Sequence, residues 1–414
     1  MDEKKVSRRN LLYRVIYDFW NSFFFVAIGA MYLAQWVILD NKLPDIVYGW
    51  CFSLATILVF ITSPLLWARS DKIGKRMPFL KWSTIWLIII NALVAFFALS
   101  SLPNKVFIVL WLSMGVQYLY QISLIFYNSL LKNVSTEENR GKTAGIGEWF
   151  WSFWWIIAIL IFMPFASWAI ALIWWPWRHQ VFLPAFIIST IFMLPMILWF
   201  KEHKEPVIQA TQNVYKKTWA GIKQLWTTQK NVWLYLLAFS LISDIVLTMT
   251  LYFAVVMDVV YKVWDKTKST ILIAFTVASI IAAYILGRLA DKFGYKKLLM
   301  YTCFILIAVA AIFFYSSAPR VLYLVALLWW GAAGWYFVVC KAFMTKLSPK
   351  WELGEYFGLY STFQKAASIT APLIRWGITL RLIQYPVFKY QMAWTAMIVV
   401  LIIWTILMWK VKEK

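Results

Sequence analysis

Ser70-Asp71-Lys72-Ile73-Gly74-Lys75-Arg76 and Ala290-Asp291-Lys292-Phe293-Gly294-Tyr295-Lys296 are two copies of one short basic loop in a chain of 414 residues. Each copy lies between two long apolar runs. The offset from Asp71 to Asp291 is close to half the chain, so the sequence reads as a duplicated membrane bundle, an arrangement typical of transporters.

Composition supports that reading. Hydrophobic residues make up 63% of the chain and charged residues 14%, well outside the balance of a water-soluble domain. A spanning helix needs about 20 mostly apolar residues. Twelve stretches qualify. The first six are 15–39, 46–67, 79–99, 106–131, 144–165 and 181–200; the second six are 232–257, 269–287, 298–317, 320–344, 356–379 and 389–409. The polar stretch 201–231 separates them, so the expected domains are residues 1–200, a linker 201–231 and residues 232–414. The fold class expected is all-α integral membrane, twelve transmembrane helices in two pseudo-symmetric six-helix bundles.

The net charge of +22 comes from Lys and Arg in small groups between apolar runs, as in loops facing anionic lipid, so membrane lipid rather than nucleic acid is the expected contact. With an even number of spans both termini share a side, and that side holds 28 Lys and Arg against nine opposite. The rule that positive loops face inward then places both termini, the linker and both repeated loops in the cytoplasm; in a prokaryote the membrane is the cell membrane. Cys51, Cys303 and Cys340 lack metal-ligand spacing, and His179 and His203 stand alone in separate loops, so no metal, cofactor or enzyme chemistry is expected.

The second loop, with its lead-in Gly287-Arg288-Leu289-Ala290 and its exit through Lys297, resembles the signature loop of the major facilitator superfamily. The resemblance implies a latch at the cytoplasmic gate, carried here by Asp71, Gly74 and Arg76 in the first copy and by Gly287, Arg288, Asp291, Gly294 and Lys297 in the second. Trp67 replaces the leading glycine in the first copy, which predicts looser packing of the second span. It also predicts that Asp291→Asn disturbs the protein more than Asp71→Asn. Within the superfamily, four strings resemble the vacuolar-effluxer-like (autophagy-related) family and its prokaryotic relatives. These are Tyr17-Asp18-Phe19-Trp20-Asn21-Ser22, then Phe126-Tyr127-Asn128-Ser129 with Glu138-Asn139-Arg140-Gly141-Lys142, then Asp244, and Glu355 to Ser361 leading to Lys365 and Pro372. That resemblance implies release of amino acids, and it adds Arg140 to the gate. Cation-coupled glycoside symporters of the melibiose permease type are more distant. Asp18-Phe19, Pro78-Phe79 and Lys365 fit them, but the second span has no acid and Leu124 replaces their sugar-binding aspartate.

Ionisable side chains inside a span cost roughly 2.5–3.5 kcal/mol each and mark partners or wet sites. Asp18, Glu148, Asp244, Lys341, Lys365 and Arg375 are the six here. Asp244 stands 12 residues into its span, about 18 Å at 1.5 Å per residue, near the midplane. Asp18 and Asn21 share a helix face, as do Tyr360 and Gln364. Substrate or proton binding is therefore expected at Asp244, Asp18, Asn21, Asn128, Tyr360, Gln364 and Lys365. Glu148, Lys341 and Arg375 lie near span ends and are expected to snorkel toward water. Trp149, Trp151, Trp154 and Trp155 are expected to face lipid. The expected work is secondary active transport of a small polar solute, amino acid or related metabolite, by alternating access about a midplane site, with protons as the coupling ion and no obligate protein partner. The alternatives are proton-driven export of amphiphiles and a non-transporting receptor or scaffold.

Overall fold

A computed structural model describes residues 8–130, 134, 140–166, 170, 178–202, 223, 225–259, 261–264, 266–274, 276–278, 293–315, 319–347, 360, 363–364, 370–382, 384–385 and 387–413. The chain divides into two compact units, Met1–Lys217 and Thr218–Lys414. The first holds α1 (Arg8–Phe24, continued by further helical turns to Asp40), α2 (Asp45–Ile73), α3 (Met77–Leu99), α4 (Lys105–Ser129), α5 (Arg140–Ala166) and α6 (Phe182–Trp199). The second holds α7 (Lys230–Val259), α8 (266–274, resuming at 276–278), α9 (Tyr295–Tyr315), α10 (Pro319–Leu347), α11 (Thr370–Arg381) and α12 (Phe388–Lys410). Every expected span coincides in whole or part with one of these helices. Among the described residues, nine helices are long and apolar enough to cross a membrane.

Large apolar side chains cover the outside of the helices as well as filling the core. On α3 the outward face carries Trp82, Ile85, Trp86, Ile89, Leu93 and Phe96, while Ser83, Thr84 and Asn91 are buried with Leu80 and Leu87. Lipid solvates the first set, and packing satisfies the second.

Packing repeats between the units. In the first, α1 lies against α5 and α6, and α3 against α4 and α6; in the second, α7 lies against α11 and α12, and α9 against α10 and α12. The backbone repeats too. The four described residues with positive φ form two pairs, each separated by the same offset as the repeated loops: Lys42 (54°) with Lys262 (52°), and Gly74 (65°) with Gly294 (90°). Lys42 and Lys262 both follow the first helix of their unit, and each belongs to a left-handed helix stop. There the N–H of Leu43 reaches the carbonyl of Val37, and that of Val263 reaches Met257, both at 3.1 Å.

Two features depart from the sequence reading. Helix α1 begins at Arg8, not near residue 15, and its run to Asp40 is 33 residues, longer than a bilayer core requires. The run contains π turns at Phe25–Ala30 and Trp36–Asp40. The Tyr48 hydroxyl on α2 reaches the carbonyls of Ile28 and Gly29 in the first π turn at 3.4 and 3.3 Å. The second departure is Trp67. Its indole is part-exposed and lies along Phe126 at 6.1 Å between ring centres, so it turns outward and α2 still packs against α4.

Candidate functional site

Polar side chains gather at one place in each unit. In the first unit the early start of α1 carries Arg14 and Asp18 together into the interior, one helical turn apart on the same face and both buried. The hydroxyl of Tyr127, from the last turns of α4, bonds to Asp18 Oδ2, and the carbonyl of Arg14 lies 3.0 Å from the same hydroxyl. A phenol has one proton and a carboxylate is the stronger acceptor, so that proton goes to Asp18. Asn21 donates to Asp18 Oδ1 at 3.3 Å. The Arg14 guanidinium sits 4.5 Å from the centre of the Tyr127 ring, whose other contact is the stacked ring of Tyr17 at 5.2 Å. Tyr17 is fixed in turn by a 2.7 Å hydrogen bond with Thr84 on α3.

The structure therefore brings Asp18 and Asn21 together as expected and corrects their neighbour. Asn128 is exposed; Tyr127, one position earlier, faces the carboxylate. A residue step on a helix turns the side chain by about 100°, so adjacent positions do not share a face. Arg14 lies just before the expected first span, which starts at residue 15, so its burial is not legible from the apolar run. Trp154 and Trp155 also turn inward, Trp154 against Phe19 at 3.7 Å and Trp155 buried, rather than toward lipid.

In the second unit Asp244 is 1% exposed on α7, and its Oδ2 accepts the N–H of Ala371, at the start of α11, at 2.6 Å. Nearer the start of α7, Tyr360 is buried with its ring stacked on Phe239 at 4.2 Å, and Ser240 donates to the carbonyl of Phe363 at 2.9 Å. Thus α7 meets Tyr360, Phe363 and the start of α11 along one seam. Gln364 is half-buried beside it. Arg375, one turn past Ala371, is a correction: it is 1% exposed and does not snorkel. Its guanidinium lies 3.5 Å from the centre of the Tyr252 ring and 5.3 Å from that of Tyr390. Two aromatic faces stabilise a buried cation where water does not. Lys341 is exposed, and Lys365 and the side chain of Glu148 lie outside the described residues.

Of the expected latch, the first copy is the better described. Gly74 takes the left-handed turn, its N–H reaching the carbonyl of Ser70 at 3.0 Å. The Arg76 guanidinium bonds Ser70 Oγ and covers the Trp67 ring at 4.4 Å. Asp71 is helical and Arg140 opens α5, their side chains lying outside the described residues, as do Gly287, Arg288 and Asp291 altogether. Gly294 makes the second turn, and Lys297 is exposed. At the opposite ends of the helices, Arg178 pairs with Asp40 in the first unit, and Lys268 pairs with Asp258 at 2.6 Å in the second. Just past Asp258, burial pushes the Tyr261 phenol up to about 12, and it donates to the carbonyl of Phe313. No cluster of His, Cys, Asp or Glu that would hold a metal ion occurs among the described residues.

Comparison with known proteins agrees with this architecture. Residues 264–414 match the Major Facilitator Superfamily family model. The uncharacterized MFS-type transporter YxiO of Bacillus subtilis (strain 168) is 22% identical over 355 residues, 79% of this chain and 76% of that protein. Among solved structures, the nucleoside transporter NupG is similar over 98% of this chain and 99% of its own, with a TM-score of 0.70 at 14% identity. A D-xylose-proton symporter is similar over 98% and 97%, with a TM-score of 0.71 at 14% identity. These structural likenesses establish the fold: the chain has the all-helical major facilitator fold over nearly its full length.

Proposed function

We propose that this chain is a secondary transporter of the major facilitator type rather than an enzyme, and that it carries a small zwitterionic solute of the amino-acid class by alternating access. The observation that carries the proposal is the seam of the second unit. There a buried acid, Asp244, and a buried base, Arg375, are served by one helix face one turn apart. A solute bearing both an ammonium and a carboxylate group is complementary to such a pair. A neutral sugar offers no opposite charge to either group. The resemblance to the vacuolar-effluxer-like family points to the same solute class.

Asp18 is proposed as the coupling carboxyl, protons being the ion. Asp18 is bonded by Tyr127 and Asn21 and lies one helical turn from the buried Arg14, so gain or loss of its proton changes the charge balance of that cluster. The repeated loops are proposed to face the cytoplasm and to serve as the gate.

The test is uptake into proteoliposomes of labelled amino acids, nucleosides and pentoses, each with and without an imposed pH gradient. The expected result is flux of amino acids alone, accelerated by the gradient. Flux of pentose or nucleoside with none of any amino acid refutes the solute class. A second reading, export of amphiphiles, draws on the aromatic seam of Phe239, Tyr360, Tyr252 and Tyr390. It predicts stabilisation by amphiphilic dyes and none by amino acids.

A further inference from the structure

Each unit closes the end that carries its repeated loop with the same set of bonds. In the first unit the Asn10 carboxamide donates to the carbonyl of Lys201 at 2.8 Å and accepts from the N–H of Lys201 at 3.3 Å. The next residue, Glu202, accepts from the backbone N–H of Arg76 and, at 2.8 Å, from that of Met77. In the second unit the Asn231 carboxamide donates to the carbonyl of Lys412 at 2.8 Å and accepts from its N–H at 2.7 Å. The next residue, Glu413, accepts from the N–H of Tyr295 and of Lys296, both at 3.2 Å. An asparagine at the start of the first helix and a Lys-Glu pair just past the sixth thus recur in the same roles.

We propose that these are two clasps, each holding three helix ends as one rigid frame, and that Glu202 and Glu413 are positioning residues that fix the exits of the repeated loops. The chemistry favours rigidity. A carboxamide bonded through both its atoms to one residue's backbone fixes register, because a slip of one residue breaks both bonds. The carboxylate that follows takes two of the unpaired N–H groups at a helix start, where the helix dipole also favours negative charge. Gly74 and Gly294 stand just before those capped groups, so each loop turns directly against its clasp. A methyl group at Gly294 would come within 3.5 Å of Glu413 Oε2.

The clasps differ in one respect. Lys346, at the end of α10, adds a 3.7 Å pairing to Glu413 and lies 4.6 Å from the centre of the Tyr295 ring. The first unit has rings at the corresponding place, Trp67 and Phe79 each stacked on Phe126, at 6.1 and 5.1 Å. The second clasp is therefore the salt-sensitive one, since exposed ion pairs are screened and stacked rings are not.

Hydrogen exchange on the full chain in lipid nanodiscs reads the clasps without any solute. In Glu202→Gln and Glu202→Ala, the amides of residues 76 and 77 are expected to exchange roughly tenfold faster, as for loss of a helix cap, with residues 295 and 296 unchanged. Glu413→Gln is expected to do the reverse, and high salt to act like a weak Glu413→Gln. Unchanged exchange at the capped amides in both variants overturns the clasp. That clasps stay shut during transport rests on the carrier reading above, and it is tested by cross-linking. Asn10→Cys with Lys201→Cys, in a chain whose Cys51, Cys303 and Cys340 are replaced by serine, is oxidised to a disulfide and assayed for uptake of labelled amino acids. Undiminished flux supports a rigid frame. Flux lost on oxidation and restored by reductant means the clasp opens in the cycle and overturns it. No flux in the unmodified chain counts against the carrier reading alone, and the exchange measurement still decides whether the clasps exist.

Discussion

Replacing Asp244 separates the two things its carboxylate does, holding α11 and carrying charge. The residue is 1% exposed and accepts the N–H of Ala371 at 2.6 Å. A hydrogen bond to a charged acceptor contributes about 1.5–3 kcal/mol, and one between neutral partners about 0.5–1.5. Asp244→Asn keeps an acceptor oxygen at the same reach and is expected to cost about 1 kcal/mol of stability. Asp244→Ala leaves the Ala371 N–H buried without an acceptor, which adds about 1–3 kcal/mol. Thermal unfolding in detergent should therefore rank wild type above Asn above Ala, with Asn still folded. Transport should rank differently. If the charge binds the solute's ammonium group, Asn loses an interaction worth at least about 1.4 kcal/mol, so amino-acid flux at low concentration falls tenfold or more in a protein that remains folded. The proteoliposome assay with a thermal-unfolding control measures both. Wild-type flux and wild-type pH dependence in Asp244→Asn would refute the assignment, leaving the residue as a structural tie between α7 and α11.

Three further outcomes follow from particular contacts. Tyr127→Phe removes the donor to Asp18 Oδ2 and is expected to lower stability by about 1–3 kcal/mol and to alter the pH dependence of flux, whereas Asn128→Ala, at an exposed position, should stay within about 0.5 kcal/mol and leave flux unchanged. Arg375→Lys keeps the charge but loses the planar group held between Tyr252 and Tyr390, so solute affinity should fall by about tenfold with the maximal rate little changed; equal kinetics in the two proteins would remove Arg375 from the site. Gly74→Ala, at a φ of 65°, should lower stability by about 1 kcal/mol, and Lys42→Gly, at 54°, should raise it by several tenths, both read from thermal unfolding.

The helices were legible because a bilayer demands long apolar runs, and the repeated loop was legible because a glycine at positive φ leaves a mark in the sequence. Side-chain direction was not. Tyr127 and Asn128 are neighbours in one quoted string, and only the phase of α4 decides that the tyrosine meets Asp18 while the asparagine faces outward. Arg375 was misplaced for a related reason. Distance from a span end suggests an easy route to water, but the rings of Tyr252 and Tyr390 occupy its surroundings and provide an aromatic alternative to solvation. Arg14 was hidden by the opposite error, since an apolar window starts where charges stop, while the helix continues back to Arg8.

Duplication has preserved the two units unequally, and the pattern of loss bears on function. The frame is shared between them down to single bonds. The positive-φ residues recur at the offset of the loops, and both asparagine carboxamides grip the backbone of the lysine in a Lys-Glu pair. The buried charges do not recur. The offset that pairs Gly74 with Gly294 sets Ala238 opposite Asp18 and Phe24 opposite Asp244, so the two acids are not repeat counterparts. They also hold different partners, a tyrosine hydroxyl in one unit and a backbone N–H in the other. A frame retained for stability alone would tolerate loss of the same buried charges in both units, since each costs free energy to keep. Different buried acids in the two units fit the proposed assignment of a separate task to each within a common scaffold. The proposed coupling at Asp18 and the proposed solute binding at Asp244 are then separable by mutation: Asp18→Asn should abolish acceleration by a pH gradient while leaving solute exchange at equal pH, and Asp244→Asn should impair both. If the two variants had the same phenotype, that division of labour would be wrong.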